Sequence, residues 1–398
     1  MVDDGRQENI WTSEYNRRPE IRGEFDYEGP VKFYDTTLRD GEQTVGVVLH
    51  PEDKVKIARQ LDELGVDRIE GGFPVVSDED NEAFRLLNQE DLDAEIWGFS
   101  RAVKSDVDEL LELGTEASVI EVPTSDLKLD AYGLSRQDCL DRATSAVAHA
   151  SENGMKVAFF TVDGTRTEID FLKEIYSATV EAGAEEVVVV DTIGVANPEV
   201  IEWMVREVKG AVGNDVPVHF HGQNDFGLAT ASSVAAVRGG ADWIQGTING
   251  MGERAGNADI GEVAMALRCL YDIEVDLNLE KIRETSTVVK EISDYEMAPW
   301  KPVVGQNLFT RESGAVAHQF HLPNAIEPYS SKLVGADRGI VLGKKSGLAS
   351  IKIKADELGL DVPEESRAEV LDKVKQKGIE KDGLLTDEEF RELVQEVV

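Results

Sequence analysis

The sequence predicts an α/β chain: a (β/α)8 TIM barrel followed by small accessory α+β and helical subdomains. Three observations carry that prediction. Short β-branched runs recur eight times, each is followed by a loop and an amphipathic helical pattern, and polar residues able to do chemistry collect just after the runs. A doubly wound sheet is the competing fold, but no G-x-G-x-x-G follows the first run and a count of eight fits a closed ring.

The runs, in order, are "VKFYD" at 31, "VDRIEGG" at 66, "EIWGFS" at 95, "ASVIEVP" at 117, "KVAFFTV" at 156, "EEVVVVD" at 185, "VPVHFHG" at 216 and "DWIQGTI" at 242. Between them, patterns such as "PEDKVKIARQLDELG" and "EIDFLKEIYSATVEAG" place apolar residues at helical spacing and end in Gly, a common helix terminator. The reading gives an N-terminal extension over 1–30, the barrel over 31–275, a linker or accessory subdomain over 276–345 and a C-terminal helical subdomain over 346–398. In the third segment "MAPWKPVVGQNLFTRESG" is punctuated by Pro and Gly without clear periodicity. In the last, "TDEEF" is the capping signal of a final helix.

The chain has 398 residues, 41 % of them hydrophobic, enough for at least one large core. Asp and Glu number 78 against 41 Lys and Arg, a formal charge of -37. That balance argues against nucleic-acid binding and for a salt-screened acidic surface of the halophilic type. The two cysteines, Cys139 and Cys269, have neither metal-like nor disulfide-like spacing. No apolar stretch reads as a signal peptide or a membrane span, so a cytoplasmic protein with no membrane partner is expected.

In a barrel the chemistry sits at the carboxyl ends of the strands. Arg39, Asp40, Glu42 and Gln43 follow the first run; Asp191 and Thr192 follow the sixth; His219, His221 and Gln223 lie along the seventh; Asn249, Glu253, Arg254 and Asn257 follow the eighth. Each alone could cap a helix or pair at a surface, but their shared placement at one rim marks a candidate site.

The motifs at these places, "DTTLRDGEQTVGV", "IEGGFP", "DTIG", "NDFGLA", "GTINGMGERAGN" and "LGKKSG", together resemble the 2-isopropylmalate synthase, homocitrate synthase and citramalate synthase family over about residues 31–350. The resemblance implies an acyltransferase that condenses acetyl-CoA with a 2-oxo acid held on a divalent metal ion (Mg, Mn or Zn), and a homodimer. It implies metal ligation by Asp40, by two positions on strand seven and by Asn257. Counting back from "NDFG" gives His221 the first strand-seven position and puts Gln223 where the family has its second histidine. His219, about 7 Å deeper on the same face, is the alternative ligand. Such a donor set suits a cation that polarises a ketone. Arg39 would complement the developing alkoxide, Gln43, Thr192 and Arg166 would bind substrate, and Glu253 would act in catalysis.

Two departures bear on the proton chemistry. Val162 stands on strand five where the family has a Glu that takes part in acetyl-CoA activation, although Asp163 and Arg166 remain. The family's "HESGIH" becomes "RESGAV", with Arg311 and Val316 in place of both histidines and His318 and His321 just downstream. Asp163, Glu168, His318 or His321 would then replace the missing base. "IEGGFP" favours the isopropylmalate branch and an apolar, branched 2-oxo acid. The end of the sequence at 398 leads to the expectation that a leucine-responsive regulatory domain is absent. A metal-dependent carbon–carbon lyase or aldolase, and an oxo-acid-binding paralogue with altered catalysis, are the alternatives.

Overall fold

A computed structural model describes residues 9–22, 27 and 29–398. Of the N-terminal extension, residues 1–8, 23–26 and 28 lie outside the described residues. The chain divides into two compact units, one from Glu14 to Met297 and one containing Ala298–Val398 with the residues before 14.

The first unit is the barrel. Its strands are β1 (Lys32–Asp35), β2 (Arg68–Glu70), β3 (Glu95–Arg101), β4 (Ala117–Pro123), β5 (Lys156–Val162), β6 (Glu186–Asp191), β7 (Val218–Gly222) and β8 (Trp243–Gly246), each parallel to its neighbours. β1 pairs with β8, Lys32 opposite Trp243 and Asp35 opposite Gly246, so the ring closes as expected. Every strand falls within one of the eight runs except β3, which ends one residue beyond its run at Arg101, because a strand buried on both faces needs apolar, β-branched residues throughout. The helix Pro51–Leu64 shows how the outer ring is punctuated. Proline opens it, Val55, Ala58, Leu61 and Leu64 face inward, and Gly65 closes it at φ 89°, where a side chain would be strained.

Inside the ring the layers differ in kind. Near the amino ends of the strands lies a charged floor: Arg68 donates to both oxygens of Glu186 at 2.6 and 3.0 Å, with its guanidinium 4.2 Å from the Trp97 ring centroid and 3.8 Å from that of Trp243. His219 belongs to this layer, stacked on Trp243 with centroids 5.3 Å apart. Above it Phe99, Phe160 and Val190, of the same apolar cluster as these tryptophans, lead up to the mouth. Residues 276–297 pack with the barrel unit: Gln60 reaches the Thr285 hydroxyl at 3.2 Å, and Asn249 donates to the Ser286 carbonyl at 3.0 Å.

In the second unit β9 (Thr310–Arg311) pairs with β10 (Gly339–Ile340), followed by helices Leu348–Leu358, Arg367–Glu380 and Asp387–Val397. Ala317, Ile340 and Leu342 share one core with Ile351, Val370, Val374 and Phe390, so residues on both sides of 345/346 bury one another. Thr386 and Glu389 form the capping box that "TDEEF" signals. Among the described residues no helix is long and apolar enough to cross a membrane.

Candidate active site

The loops after β1, β7 and β8 bring the polar cluster together. Asp40 is buried, with one oxygen 3.0 Å from Gln223 Nε2 and 3.3 Å from His221 Nε2. Asn257 arrives through an unusual turn: Asn249, Arg254 and Gly256 have φ of 63°, 55° and 82°, and a Cβ on Gly256 would stand 1.9 Å from the Gly250 carbonyl oxygen. Only glycine fits there. The turn seats Asn257 in a bridge with Gln223. Burial opposes the charge on Asp40, but Arg39 and hydrogen bonds from His221 and Asn257 hold its carboxyl well below the usual carboxylate range.

Buried atoms without hydrogen-bond partners show what the cluster is built to receive. Gln223 Oε1, Asn257 Oδ1, His221 Nδ1 and Arg39 Nη2 have none. Two amide oxygens beside a carboxylate and an imidazole fit a divalent cation with mainly oxygen donors. Among the described residues no three His, Cys, Asp or Glu side chains converge as a metal site, because amides occupy the remaining places. Gln223 directs its NH2 end at Asp40, so its donor oxygen is the opposite end of the same amide.

Arg39 is held from three sides. Its Nε donates to Glu70 at 2.5 Å, Nη1 lies 3.4 Å from Asp40, and the guanidinium sits 4.1 Å from the Phe99 ring centroid. Its remaining Nη2 is free for a substrate oxygen. Arg39, Asp40, Gln43, Thr192, His221, Gln223 and Glu253 all line one cavity of about 260 Å³, whose wall is Phe73, Phe99, Pro123, Phe160, Val162 and Val190. Thr192 Oγ1 accepts from the Asp163 N–H at 2.6 Å, which leaves its own hydroxyl hydrogen to donate. The Glu253 side chain is 58 % exposed and 3.4 Å from Arg254.

Of the other candidate residues in the barrel unit, His219, Asp163, Arg166 and Glu168 do not line this cavity. His219 has both ring nitrogens engaged one layer down: Nε2 lies 2.6 Å from Glu186 and Nδ1 lies 3.3 Å from the Gln245 amide nitrogen. Burial lowers its pKa, so the neutral ring donates from Nε2 and accepts at Nδ1, leaving no lone pair for a metal. Asp163 is buried with φ 66°, and Arg166 grips both its oxygens at 2.8 and 2.7 Å while Ser125 donates to one of them. Neither Asp163 nor Arg166 lines the cavity. Glu168 caps the helix Ile169–Glu181 by accepting from Asp170 and Phe171. His318 and His321 belong to the second unit, where His321 Nδ1 lies 3.1 Å from the His318 carbonyl.

Two carboxylates of the site were not singled out from sequence. Glu70 ends β2 under Arg39, and Glu121 faces the cavity from β4. Their signal is a lone acidic residue inside a β-branched run, in "RIEGG" and "VIEVP". A carboxyl group is too costly inside a barrel to be there without a use or a partner.

Residues 30–289 match the HMGL-like family, and residues 303–382 match the homocitrate synthase post-HMGL domain-like family. A probable 2-isopropylmalate synthase of Methanopyrus kandleri is 47 % identical over 87 % of this chain and 70 % of that one. Homocitrate synthase AksA of the same organism is 43 % identical over 94 % of each. The chain belongs to the 2-isopropylmalate, homocitrate and citramalate synthase family. Members of this acyltransferase family condense acetyl-CoA with an acceptor, and a putative (R)-citramalate synthase of M. kandleri is also similar, at 41 % identity over 95 % of this chain and 75 % of that one. Solved structures of hydroxymethylglutaryl-CoA lyase from Pseudomonas aeruginosa (TM-score 0.61, 18 % identity, 68 % of this chain and 95 % of that one) and from Brucella melitensis (TM-score 0.60, 16 %, 67 % and 99 %) share the barrel fold.

Proposed function

We propose that this synthase joins the acetyl group of acetyl-CoA to a 2-oxo acid with an apolar side chain, in the manner of a 2-isopropylmalate synthase. The observation that carries the reading is the two-sided cavity: a polar end of Arg39, Asp40, His221, Gln223 and Thr192 facing a wall of three phenylalanines and two valines, with Glu121 among them. The oxo acid's carboxylate and ketone belong at the polar end, where Arg39 Nη2 and the Thr192 hydroxyl can donate. Its hydrocarbon belongs against Phe73, Phe99 and Phe160.

Asp40, His221, Gln223 and Asn257 would hold the divalent cation. When bound, that ion supplies Lewis acidity to the ketone. The protein's own share is orientation and charge. Glu70 and Phe99 fix the Arg39 guanidinium so that its free N–H is in place before substrate arrives. The match of residues 303–382 to a homocitrate synthase segment supports the synthase direction over cleavage.

The test is release of free CoA thiol from acetyl-CoA with a panel of 2-oxo acids, in molar salt with magnesium, manganese or zinc. Release should be fastest with short or branched apolar acids. A preference for a dicarboxylic acid would transfer the reading to the homocitrate type, with Lys128 in the cavity lining as the second carboxylate's partner. Cleavage of a hydroxyacyl-CoA without any condensation would sink the synthase reading.

A further inference from the structure

We propose that Glu121 is the base that removes the methyl proton of acetyl-CoA, supplying from β4 the carboxylate that Val162 leaves out of β5. The inference rests on the condensation reading above. Strand pairing makes the exchange possible. Glu121 lies opposite Phe160 and Pro123 opposite Val162, on adjacent parallel strands. Side chains alternate along a strand, so Ala117, Val119 and Glu121 point inward from β4 as Ala158, Phe160 and Val162 do from β5. Glu121 and Val162 therefore line one cavity wall, two residues out of register.

The second observation is that Glu121 is uncommitted. Asp40, Glu70, Asp163 and Asp191 all accept hydrogen bonds at the mouth of the barrel. No described residue donates to the Glu121 carboxylate or lies within ion-pair distance of it. The group is packed round by protein yet reachable from the cavity, as a base that must meet a substrate has to be. Burial pushes its carboxyl up to about 7; Arg39 and Arg101 oppose the rise, and Glu70 and Asp40 add to it. Lys128, Tyr132, His221 and Glu253 complete the titratable lining. The other carboxylate candidates of the barrel unit are spoken for: Asp163 by Arg166, Glu168 by a helix end, and Glu253 by Arg254 in a mostly exposed position.

In the step, a methyl C–H proton passes to a Glu121 oxygen, and the electron pair released forms the new bond to the ketone carbon. The ketone's π pair becomes an alkoxide beside the free Arg39 N–H and takes a proton from solvent. Water cleaves the thioester, giving a carboxylate, the CoA thiol and one proton released to solvent, and Glu121 returns the methyl proton to solvent.

The experiment compares wild type, Glu121→Gln and Glu121→Gln/Val162→Glu in the full chain, with thiol release followed from pH 5.5 to 9 and melting temperatures as the folding control. Glu121→Gln should melt like wild type, lose about 100-fold or more in kcat, and lose the acidic limb of the pH profile near 7. The double variant should regain at least about tenfold, by returning a carboxylate to β5. Glu121→Gln with kcat unchanged, or with the limb near 7 intact in its residual activity, overturns the assignment and leaves the synthase reading standing. A wild type that releases no thiol with any 2-oxo acid overturns both.

Discussion

Gln223 turns its NH2 end toward Asp40, while His219 turns both nitrogens away into the charged floor, and the two side chains consequently answer differently to substitution. Replacing Gln223 by His exchanges a neutral amide for a softer, stronger donor beside His221, and should tighten zinc binding by about tenfold or more. His219→Ala should leave metal affinity nearly untouched but cost the fold about 3 kcal/mol, by opening a cavity and stripping Glu186 of a partner. Calorimetric zinc titration and urea unfolding of the two variants check this. Loss of metal binding in His219→Ala with no change in Gln223→His would put the cation a layer deeper. At this scale the motifs made Arg39, Asp40, His221 and Gln223 legible, because each sits in a long, ordered signature. The occupations of Asp163 and His219 were not legible. Both depend on partners, Arg166 with Ser125 and Glu186 with Gln245, whose distances only folding sets. Glu121 was passed over because an acidic residue in a strand run looks like an interruption until the neighbouring strand shows what is missing.

Strands and their order were the most readable feature, since a doubly buried parallel strand leaves a dense β-branched run that other elements do not imitate. What the runs concealed was the chemistry of the floor. Arg68 opens β2 and Glu186 opens β6, far apart in sequence, and ring closure sets them face to face between two tryptophans. Burial opposes the charge on Glu186, but hydrogen bonds from His219 and Arg68 bring its carboxyl down from 4.5 to about 2. Between those values the unfolded chain binds a proton that the folded chain does not, so stability rises with pH there. The contribution is full above about 4.5 and is lost as pH falls toward 2. Glu186→Gln should therefore be destabilised relative to wild type near pH 6, with a gap that narrows by on the order of 2–3 kcal/mol by pH 2.5. Urea midpoints across that range measure it, and a gap that does not change with pH would show that the floor is held by packing and not by charge.

For the whole molecule, the formal charge of -37 sets the conditions under which everything else operates. Self-repulsion on that scale opposes compaction and is relieved by counterions, so melting should rise by on the order of 10 °C between 0.1 M and 2 M potassium chloride. A melting temperature that ignores salt would contradict the screening argument. Ring closure has a consequence of another kind, for the chain while it is being made. β1 has one neighbour in β2 but finds its other in β8, so its second edge stays open until translation reaches Trp243–Gly246. At about 5–20 residues per second that delay is roughly 10–40 s. For that interval each nascent chain carries a growing parallel sheet with two unpaired edges, the kind of surface on which neighbouring polysome products join. Ribosome-bound chains stopped short of β8 are thus the ones that a strand-binding chaperone should hold.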